Sequence, residues 1–212
     1  MRSMTAEMEV LQPGLHSSIQ DLGRYGFRKF GVPTGGAMDR QSAGMANLLL
    51  GNNKEDAVLE ITLQGPKMAF LGPAIIAITG AELSPDLNGV KLENNRVYKV
   101  NKGQVLSFGR RISGYRAYLA VKNGFQTNKI LESRSWCPGI TPFERLEKGL
   151  KLPFLTGEAE VELQNSVIKP GNYPASGIIE AYPGPEYEFL SALEKNKLQK
   201  WVTSNLLSLL LF

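Results

Sequence analysis

Polar side chains alternate with glycines in the segment from residue 20 to residue 51, and this segment could bind a small molecule. The pattern is carried by residues 20–26, Gln-Asp-Leu-Gly-Arg-Tyr-Gly, and by residues 31–39, Gly-Val-Pro-Thr-Gly-Gly-Ala-Met-Asp. Because Gly35 and Gly36 precede a predicted helix, backbone N–H groups there can converge on a carboxylate, a phosphate or an oxyanion. The alternative is a tight loop capped by Asp39, whose carboxylate would itself occupy the positive end of the helix.

Three carboxylates are candidates for catalysis. Asp21 and Asp39 lie inside the Gly-rich segment and could act as general bases or as acceptors that orient an amide. Glu60 lies within the apolar run from Val58 to Thr62, where a charge needs a partner or a shifted pKa. The structural alternatives are turn and capping roles for the two aspartates and an ion pair with an arginine for Glu60.

Two arginines, Arg24 and Arg134, are candidates for holding a substrate carboxylate, since a guanidinium can bind a carboxylate through two parallel hydrogen bonds. For each of them an ion pair with Asp21 or Glu60 is the alternative. Asn47 either hydrogen-bonds a substrate or satisfies a neighbouring loop. The predicted substrate-binding residues are Gln20, Arg24, Gly35, Gly36, Asn47 and Arg134.

The scarcity of metal-ligating and nucleophilic residues argues against several kinds of site. A single cysteine, Cys137, allows neither an internal disulfide nor a thiolate metal cluster, and His16 is the only histidine. We therefore expect no metal site and no Ser-His-Asp triad that avoids His16. No P-loop sequence occurs, so any ATP is bound in another way, and Lys67-Met68 lacks the context of a biotinylated lysine.

The charge balance argues against nucleic acid as a partner. Lys and Arg total 24 and Asp and Glu total 20, a formal net charge of +4 that is spread along the chain rather than clustered. The first ten residues lack the apolar run of a secretory signal, and the apolar stretch 206–212 is far shorter than the roughly 20 residues that span a bilayer. The sequence therefore predicts a cytoplasmic protein without membrane contact.

Turn signals recur at short intervals and separate runs of β-branched and aromatic residues, a pattern typical of a β-barrel or sandwich. The predicted strands are residues 58–62, 75–79, 97–100, 105–108 and 115–121. Asn88-Gly89 predicts a two-residue hairpin turn. Two helices are predicted, one capped by Asp39 and stopped by Gly51, and one that runs from about Glu186 to Trp201.

Five collinear motifs between about residue 9 and residue 187 resemble one known family. They are Gln20-Asp21-x-Gly23-Arg24-x-Gly26, Gly31-Val32-Pro33-x-Gly35-Gly36-Ala37-Met38-Asp39, residues 46–52, Leu59-Glu60-Ile61-Thr62-Leu63-x-Gly65-Pro66 and residues 116–121. In these motifs the chain is similar to the family of 5-oxoprolinase C-type subunits, also called allophanate hydrolase subunit 2 or the biotin-dependent carboxyltransferase-like (KipA) family.

The resemblance implies a mainly β fold with short helices, in which a cyclophilin-like β-barrel is joined to a smaller α/β element. It implies a protein that is inactive alone and that works with the A-type and B-type subunits of 5-oxoprolinase. Such a complex hydrolyses 5-oxo-L-proline, a small cyclic amide, to L-glutamate with ATP as the cofactor of the whole complex. Two alternatives stay open: the carboxyltransferase part of a biotin-dependent urea carboxylase, and a regulatory protein that antagonises a kinase inhibitor.

The sequence departs from the family pattern at two places. Family members continue past the second helix into further strands with an Arg-Met-Gly-Tyr motif, which does not occur here. Residues 7–200 are therefore predicted to be a family-like region that is incomplete at its C-terminus, and residues 201–212 an atypical apolar tail. Residues 132–136, Glu-Ser-Arg-Ser-Trp, stand where relatives carry a Gly-Ser-Arg-Ser-Thr type of motif, and they retain Arg134.

Overall fold

The computed structural model describes residues 4–156 and 182–205. The chain divides into two compact units, Met1–Pro170 and Gly171–Phe212. All the strands described below lie in the first unit, and the second contributes one α-helix with a short 3-10 helix before it. The predicted division into residues 7–200 and a tail of residues 201–212 stays a prediction, and residues 206–212 lie outside the described part.

The first unit contains two antiparallel β-sheets. Their strands are β1 (Met4–Gln12), β2 (His16–Gln20), β3 (Val58–Thr62), β4 (Lys67–Phe70), β5 (Ala74–Glu82), β6 (Pro85–Leu87), β7 (Val90–Lys91), β8 (Val97–Val100), β9 (Val105–Phe108), β10 (Ser113–Val121) and β11 (Lys151–Thr156). The first sheet has the strand order β11-β1-β4-β9-β6-β7 and the second the order β2-β3-β10-β5-β8. The predicted mainly β class with short helices is therefore confirmed.

Strand β3 shows how side-chain alternation builds two cores. Leu59 and Ile61 belong to the large cluster that the two sheets share, with Met8 of β1 and Phe154 of β11. Val58, one residue away and on the opposite face, belongs to a second cluster. Because successive side chains of a strand point to opposite faces, the second sheet buries apolar residues on both sides.

Helix α1 (Arg40–Leu49) covers the second cluster with small side chains. Ala43 and Ala46 pack with Tyr118 of β10 and Ala77 of β5. The predicted N-cap is confirmed, since the Asp39 carboxylate accepts a hydrogen bond from the Ser42 N–H at 2.9 Å. The helix ends just before Gly51, which adopts a φ of 62°.

All five predicted strands occur, and the predicted hairpin turn has the required backbone. Asn88 and Gly89, between β6 and β7, have φ values of 52° and 85°. The predicted start of the second helix was wrong: residues Pro185–Phe189 form a short 3-10 helix, and α2 spans Ala192–Asn205. The reason is a reciprocal cap, because Ser191 N–H donates to the Glu194 carboxylate at 2.8 Å and Glu194 N–H donates to the Ser191 hydroxyl at 3.3 Å.

No helix among the described residues has both the length and the apolar character that a bilayer crossing requires.

Candidate functional site

The Asp21 carboxylate accepts four hydrogen bonds and so joins two loops that are distant in the sequence. Its Oδ1 accepts hydrogen bonds from Gly23 N–H at 2.7 Å, Ser133 Oγ at 2.7 Å and Ser135 Oγ at 2.6 Å. Its Oδ2 accepts from Arg134 N–H at 2.6 Å. We call Asp21 with these four donor residues the Asp21 cluster. It fixes the turn after β2 against residues 133–135, more than 100 positions further along the chain.

These hydrogen bonds set the acidity of Asp21. Burial on its own raises the pKa of the Asp21 carboxyl, but the hydrogen bonds from Ser135, Ser133 and the two backbone amides outweigh burial and leave the pKa below its ordinary value. A carboxylate with a lowered pKa and four donors is a poor proton acceptor. The geometry therefore favours the turn-stabilising role of Asp21 over the predicted role as a general base, which stays a prediction.

Arg24 lies beside this cluster and is buried, with 1% of its surface exposed. Its Nη2 donates to the backbone carbonyl of Ser135. Its Nε and Nη1 have no hydrogen-bond partner in the described part of the chain. The predicted alternative, an ion pair of Arg24 with Asp21 or Glu60, is not found there.

Glu60 forms a second cluster on the outer face of β3. Its Oε1 pairs with Arg116 Nη1 at 3.2 Å, and its Oε2 accepts from Tyr118 Oη at 2.9 Å and from Met38 N–H at 2.8 Å. Burial, and next the negative charge of Glu60, raise the pKa of Tyr118 far above its ordinary value, so the hydroxyl stays protonated and donates. An arginine partner for Glu60 was the expected structural alternative, and the partner is Arg116.

The backbone amides that follow Gly35 and Gly36 already have partners inside the protein. Met38 N–H donates to Glu60, and Asp39 N–H donates to Tyr118 Oη at 2.8 Å. The carboxylate held by this stretch is therefore Glu60 of the same chain. Asp39 in turn caps α1, and both of its carboxylate oxygens accept hydrogen bonds from Ser42. The catalytic role predicted for Asp39 therefore gains no support from this geometry and stays a prediction.

Two glycines allow the loops to pack backbone against backbone. A Cβ on Gly36 would lie 2.8 Å from the carbonyl group of Leu22, and one on Gly23 would lie 2.6 Å from the oxygen of Thr34. The backbone N–H of Arg24 donates to that same carbonyl oxygen of Thr34 at 2.8 Å, and the backbone N–H of Ala37 donates to the backbone carbonyl oxygen of Asp21 at 2.8 Å. Residues 21–24 and 34–37 therefore form one closely packed double loop.

Two of the predicted substrate-binding residues bond to their own chain. Asn47 is fully buried, donates to the Asp56 carbonyl at 2.7 Å and accepts from Asn52 Nδ2 at 3.1 Å. Gln20 is buried and donates to Ser18 Oγ at 2.9 Å. Of the two alternatives for Asn47, this geometry is that of a residue that satisfies a neighbouring loop.

A polar cavity of about 800 Å³ opens beside the Asp21 cluster. Its walls come from the loops that contain residues 21–25, 53–57 and 123–134. The charged lining residues are Asp21, Lys54, Glu55, Asp56, Lys129, Glu132 and Arg134. Arg134 is held in place there, because its Nη2 donates to Gln126 Oε1 at 3.0 Å while its backbone belongs to the Asp21 cluster. This cavity is the candidate functional site.

The carboxyltransferase domain family, subdomain A and B, matches residues 30–205 of the chain. The chain belongs to this family. The resemblance inferred from the motifs is thereby confirmed.

Several named proteins are similar to this carboxyltransferase-family chain. The C subunit of the Escherichia coli 5-oxoprolinase is 32% identical over 192 residues, which cover 85% of this chain and 58% of that protein. The urea amidolyase of Saccharomyces cerevisiae is 40% identical over 129 residues, which cover 60% of this chain and 7% of that protein. The chain thus spans less than two thirds of the length of the curated relatives it matches.

Solved structures show the same fold. The crystal structure of the K. lactis urea amidolyase matches with a TM-score of 0.67 and 38% sequence identity, over 77% of this chain and 10% of that chain. The carboxyltransferase-family fold therefore also occurs as a small part of a much longer chain.

In this carboxyltransferase-family chain, the predicted site residues fall into separate places. Asp21 and Arg134 meet at the cavity, Glu60 and the Asp39 backbone are linked through the Tyr118 hydroxyl, and Asn47 lies with residues 52–56. Arg24 and Arg134 do not form one clamp, because the Arg24 guanidinium is not among the groups that line the cavity. The partners that the sequence analysis missed are Ser133, Ser135, Arg116 and Tyr118. The two serines flank Arg134 in the motif at residues 132–136, and their place in that motif was the sequence feature that could have indicated their role.

Proposed function

We propose that this chain is the C-type subunit of an ATP-dependent 5-oxoprolinase complex that hydrolyses 5-oxo-L-proline to L-glutamate in the cytoplasm. It would act with one A-type and one B-type partner, and the ATP would be used by the complex. The observation that carries the proposal is the similarity to two proteins named as C subunits of 5-oxoprolinase, 30% and 32% identical, each over 85% of this chain.

The candidate cavity offers binding groups for such a substrate. Arg134 presents a guanidinium that makes no ion pair among the described residues, and Lys129 lines the same wall. A guanidinium of this kind suits the carboxylate of 5-oxoproline. Asn53 also lines the cavity and can hydrogen-bond the polar edge of a lactam.

The described lining of this cavity contains neither a histidine nor a cysteine that could serve in the chemical step. The half-buried Asp21 carboxylate in its wall has a lowered pKa. Proton transfer at neutral pH is most efficient from a group whose pKa lies near the operating pH. This chain would therefore bind and orient the amide, and the remaining chemistry would come from the partner proteins of the complex.

Reconstitution tests the proposal. The full chain would be mixed with its A-type and B-type partners, and ATP-dependent release of glutamate from 5-oxoproline would be measured with each component omitted in turn. We expect activity only with all three proteins present. Arg134→Gln should raise the KM for 5-oxoproline about tenfold or more, because it removes one group that makes charge-assisted hydrogen bonds to the substrate.

Arg96→Gln is the matched control, because Arg96 lies outside the cavity and pairs with the exposed Glu93 at 2.8 Å. It should leave the KM unchanged. Absence of glutamate release from the complete mixture, or equal KM values for the two variants, would count against the proposal.

The second candidate is the carboxyltransferase part of a biotin-dependent urea carboxylase. It is favoured by the 40% identity to the urea amidolyase of Saccharomyces cerevisiae, although that match covers only 60% of this chain. The distinguishing assay is carboxyl transfer from carboxybiotin to urea by the same purified chain. Transfer to urea without ATP-dependent glutamate release would replace the first proposal with this one.

A further inference from the structure

Residues 25–31 form an exposed loop, which we call the Phe30 loop. It contains the short 3-10 helix Arg28–Phe30. Phe30 is a large apolar side chain, yet 70% of its surface is exposed. A Cβ added to Gly26 or to Gly31, near the two ends of the loop, would meet no heavy atom of a non-neighbouring residue within 4 Å in the described structure. The Phe30 loop therefore exposes apolar surface that the described part of the chain leaves uncovered.

Two aromatic side chains of this loop are each paired with a cation. Arg40, the first residue of α1, donates from Nη1 to Tyr25 Oη at 2.8 Å, and its Cζ lies 5.9 Å from the centre of the Tyr25 ring. Lys29 Nζ lies 5.1 Å from the centre of the Phe30 ring. Tyrosine and arginine are among the residues that contribute most to protein–protein binding, and a pair that is already held loses less freedom when a partner binds.

The free charges on this surface have one sign. Arg28, Lys29 and Arg40 are exposed, and none of them forms an ion pair within the described residues. Residues 22–38 contain neither aspartate nor glutamate, and the Asp39 carboxylate is occupied by the cap of α1. The surface formed by the Phe30 loop and Arg40 therefore complements an acidic one.

The charge of the chain and the size of its relatives indicate what covers this surface. A second copy of the chain is a poor electrostatic match, because the chain carries a formal net charge of +4. In the urea amidolyases of Saccharomyces cerevisiae and K. lactis, the matching region is 7% and 10% of the longer chain. Because this fold occurs there together with much more protein, a protein surface is a better candidate than a lipid surface.

We propose that the Phe30 loop, together with Arg40, is a docking site for another protein, whose surface has an apolar pocket rimmed by acidic side chains. Phe30 fills the pocket, and Arg28, Lys29 and Arg40 face the acidic rim. The inference rests on the proposed function only for the identity of the probes, the A-type and B-type proteins of the 5-oxoprolinase complex.

Binding measurements with the full chain test this docking site. The A-type and B-type proteins are immobilised separately, and the Kd of the full chain is measured on each. We expect one of them to bind, and Phe30→Ala to weaken that binding about tenfold or more, as truncation of a central apolar anchor does. Arg28→Glu combined with Lys29→Glu should weaken it at low salt, and this loss should shrink near about 1 M salt, where the screening length is about 3 Å.

Tyr115→Ala is the matched control. Tyr115 on β10 is 56% exposed, and Arg111 Cζ lies 5.2 Å from the centre of its ring, so it belongs to the same kind of aromatic–cation pair. Neither Tyr115 nor Phe30 lines the candidate cavity. Tyr115→Ala should bind the partner like the unmodified chain. An unchanged Kd in Phe30→Ala, or a loss of binding in Tyr115→Ala instead, would overturn the proposal.

Other occupants of the Phe30 loop have their own signatures. Dimerisation in light scattering that Phe30→Ala abolishes would identify a second copy, and sedimentation with phosphatidylserine vesicles that Phe30→Ala abolishes would identify a membrane. Either result, or binding to neither immobilised protein, overturns the proposal. Glutamate release is scored separately: Phe30-dependent binding without glutamate release rejects only the proposed function, whereas glutamate release with equal Kd values in all variants rejects only the docking site.

Discussion

Two charges three residues apart in this chain, the half-buried Asp21 carboxylate and the buried Arg24 guanidinium, differ in how fully they are hydrogen-bonded. The Asp21 carboxylate accepts hydrogen bonds from four donors, and these outweigh the cost of its burial. The Arg24 guanidinium donates to one neutral carbonyl and has two nitrogens without a partner in the described residues. A satisfied charge stabilises the loop it belongs to, whereas an unsatisfied buried one costs stability.

The largest effect is expected when the satisfied charge is altered. Asp21→Asn keeps the shape of the side chain but turns an NH₂ group toward donors that then lose their acceptor. We expect the free energy of unfolding to fall by about 3 kcal/mol at neutral pH, measured by denaturant titration. Asp86→Asn is the control, because Asp86 accepts from Gly89 N–H at 2.8 Å in an exposed turn and from Ser107 Oγ at the long distance of 3.4 Å. It should cost less than about 1 kcal/mol.

The pH dependence of the Asp21→Asn difference has a defined sign. The folded-state pKa of Asp21 lies below its ordinary value of 3.8, so the unfolded chain binds this proton more readily. The stability that the ionised carboxylate contributes is fully present above that ordinary value and is lost as the pH falls through the lower folded-state pKa. The two stability curves should therefore converge only below about pH 3.8. Convergence near neutral pH would mean that the carboxylate is not held in its ionised form.

The second prediction concerns the other satisfied carboxylate. Tyr118→Phe removes the hydroxyl that donates to Glu60 at 2.9 Å and accepts from Asp39 N–H at 2.8 Å. We expect a loss of about 1–3 kcal/mol of unfolding free energy, since the part-buried Asp39 N–H group and the buried Glu60 carboxylate each lose a partner. Tyr115→Phe should change stability little, because Tyr115 is 56% exposed. Equal effects of the two substitutions would show that the Glu60 cluster does not depend on the hydroxyl.

The sequence could predict the local features of this fold but not the long-range partners of its charges. Asp39 is followed by a helix pattern, and its cap bond to Ser42 spans only three residues, so the prediction of a capped helix was confirmed. The Asp21 carboxylate, in contrast, accepts hydrogen bonds from the hydroxyls of Ser133 and Ser135, and those contacts depend on how a loop that is distant in the sequence packs. Chain spacing carries no information about such packing.

The partner of Glu60 follows from strand pairing, which the sequence leaves open. Arg116 lies opposite Thr62 in the antiparallel pairing of β10 with β3, and Tyr118 lies opposite Glu60. Shifting that register by one residue would move both side chains to the other face of the sheet. The strand limits of residues 58–62 could be predicted from their apolar run, but the choice of Arg116 over Arg24 or Arg134 could not.

The smallest effect on stability is expected at the unsatisfied charge itself. Arg24→Met removes the orphaned guanidinium and one hydrogen bond to Ser135 while keeping a long apolar stem in place. Replacing a buried charge by an apolar side chain of similar volume is often neutral or stabilising, so we expect a change within about 1 kcal/mol of zero. Arg116→Met is the comparison, since it strips the buried Glu60 of its ion pair at 3.2 Å and should cost about 2 kcal/mol or more. If Arg24→Met proves as costly as Arg116→Met, the guanidinium already has a partner in the chain, and the contrast with Asp21 does not hold.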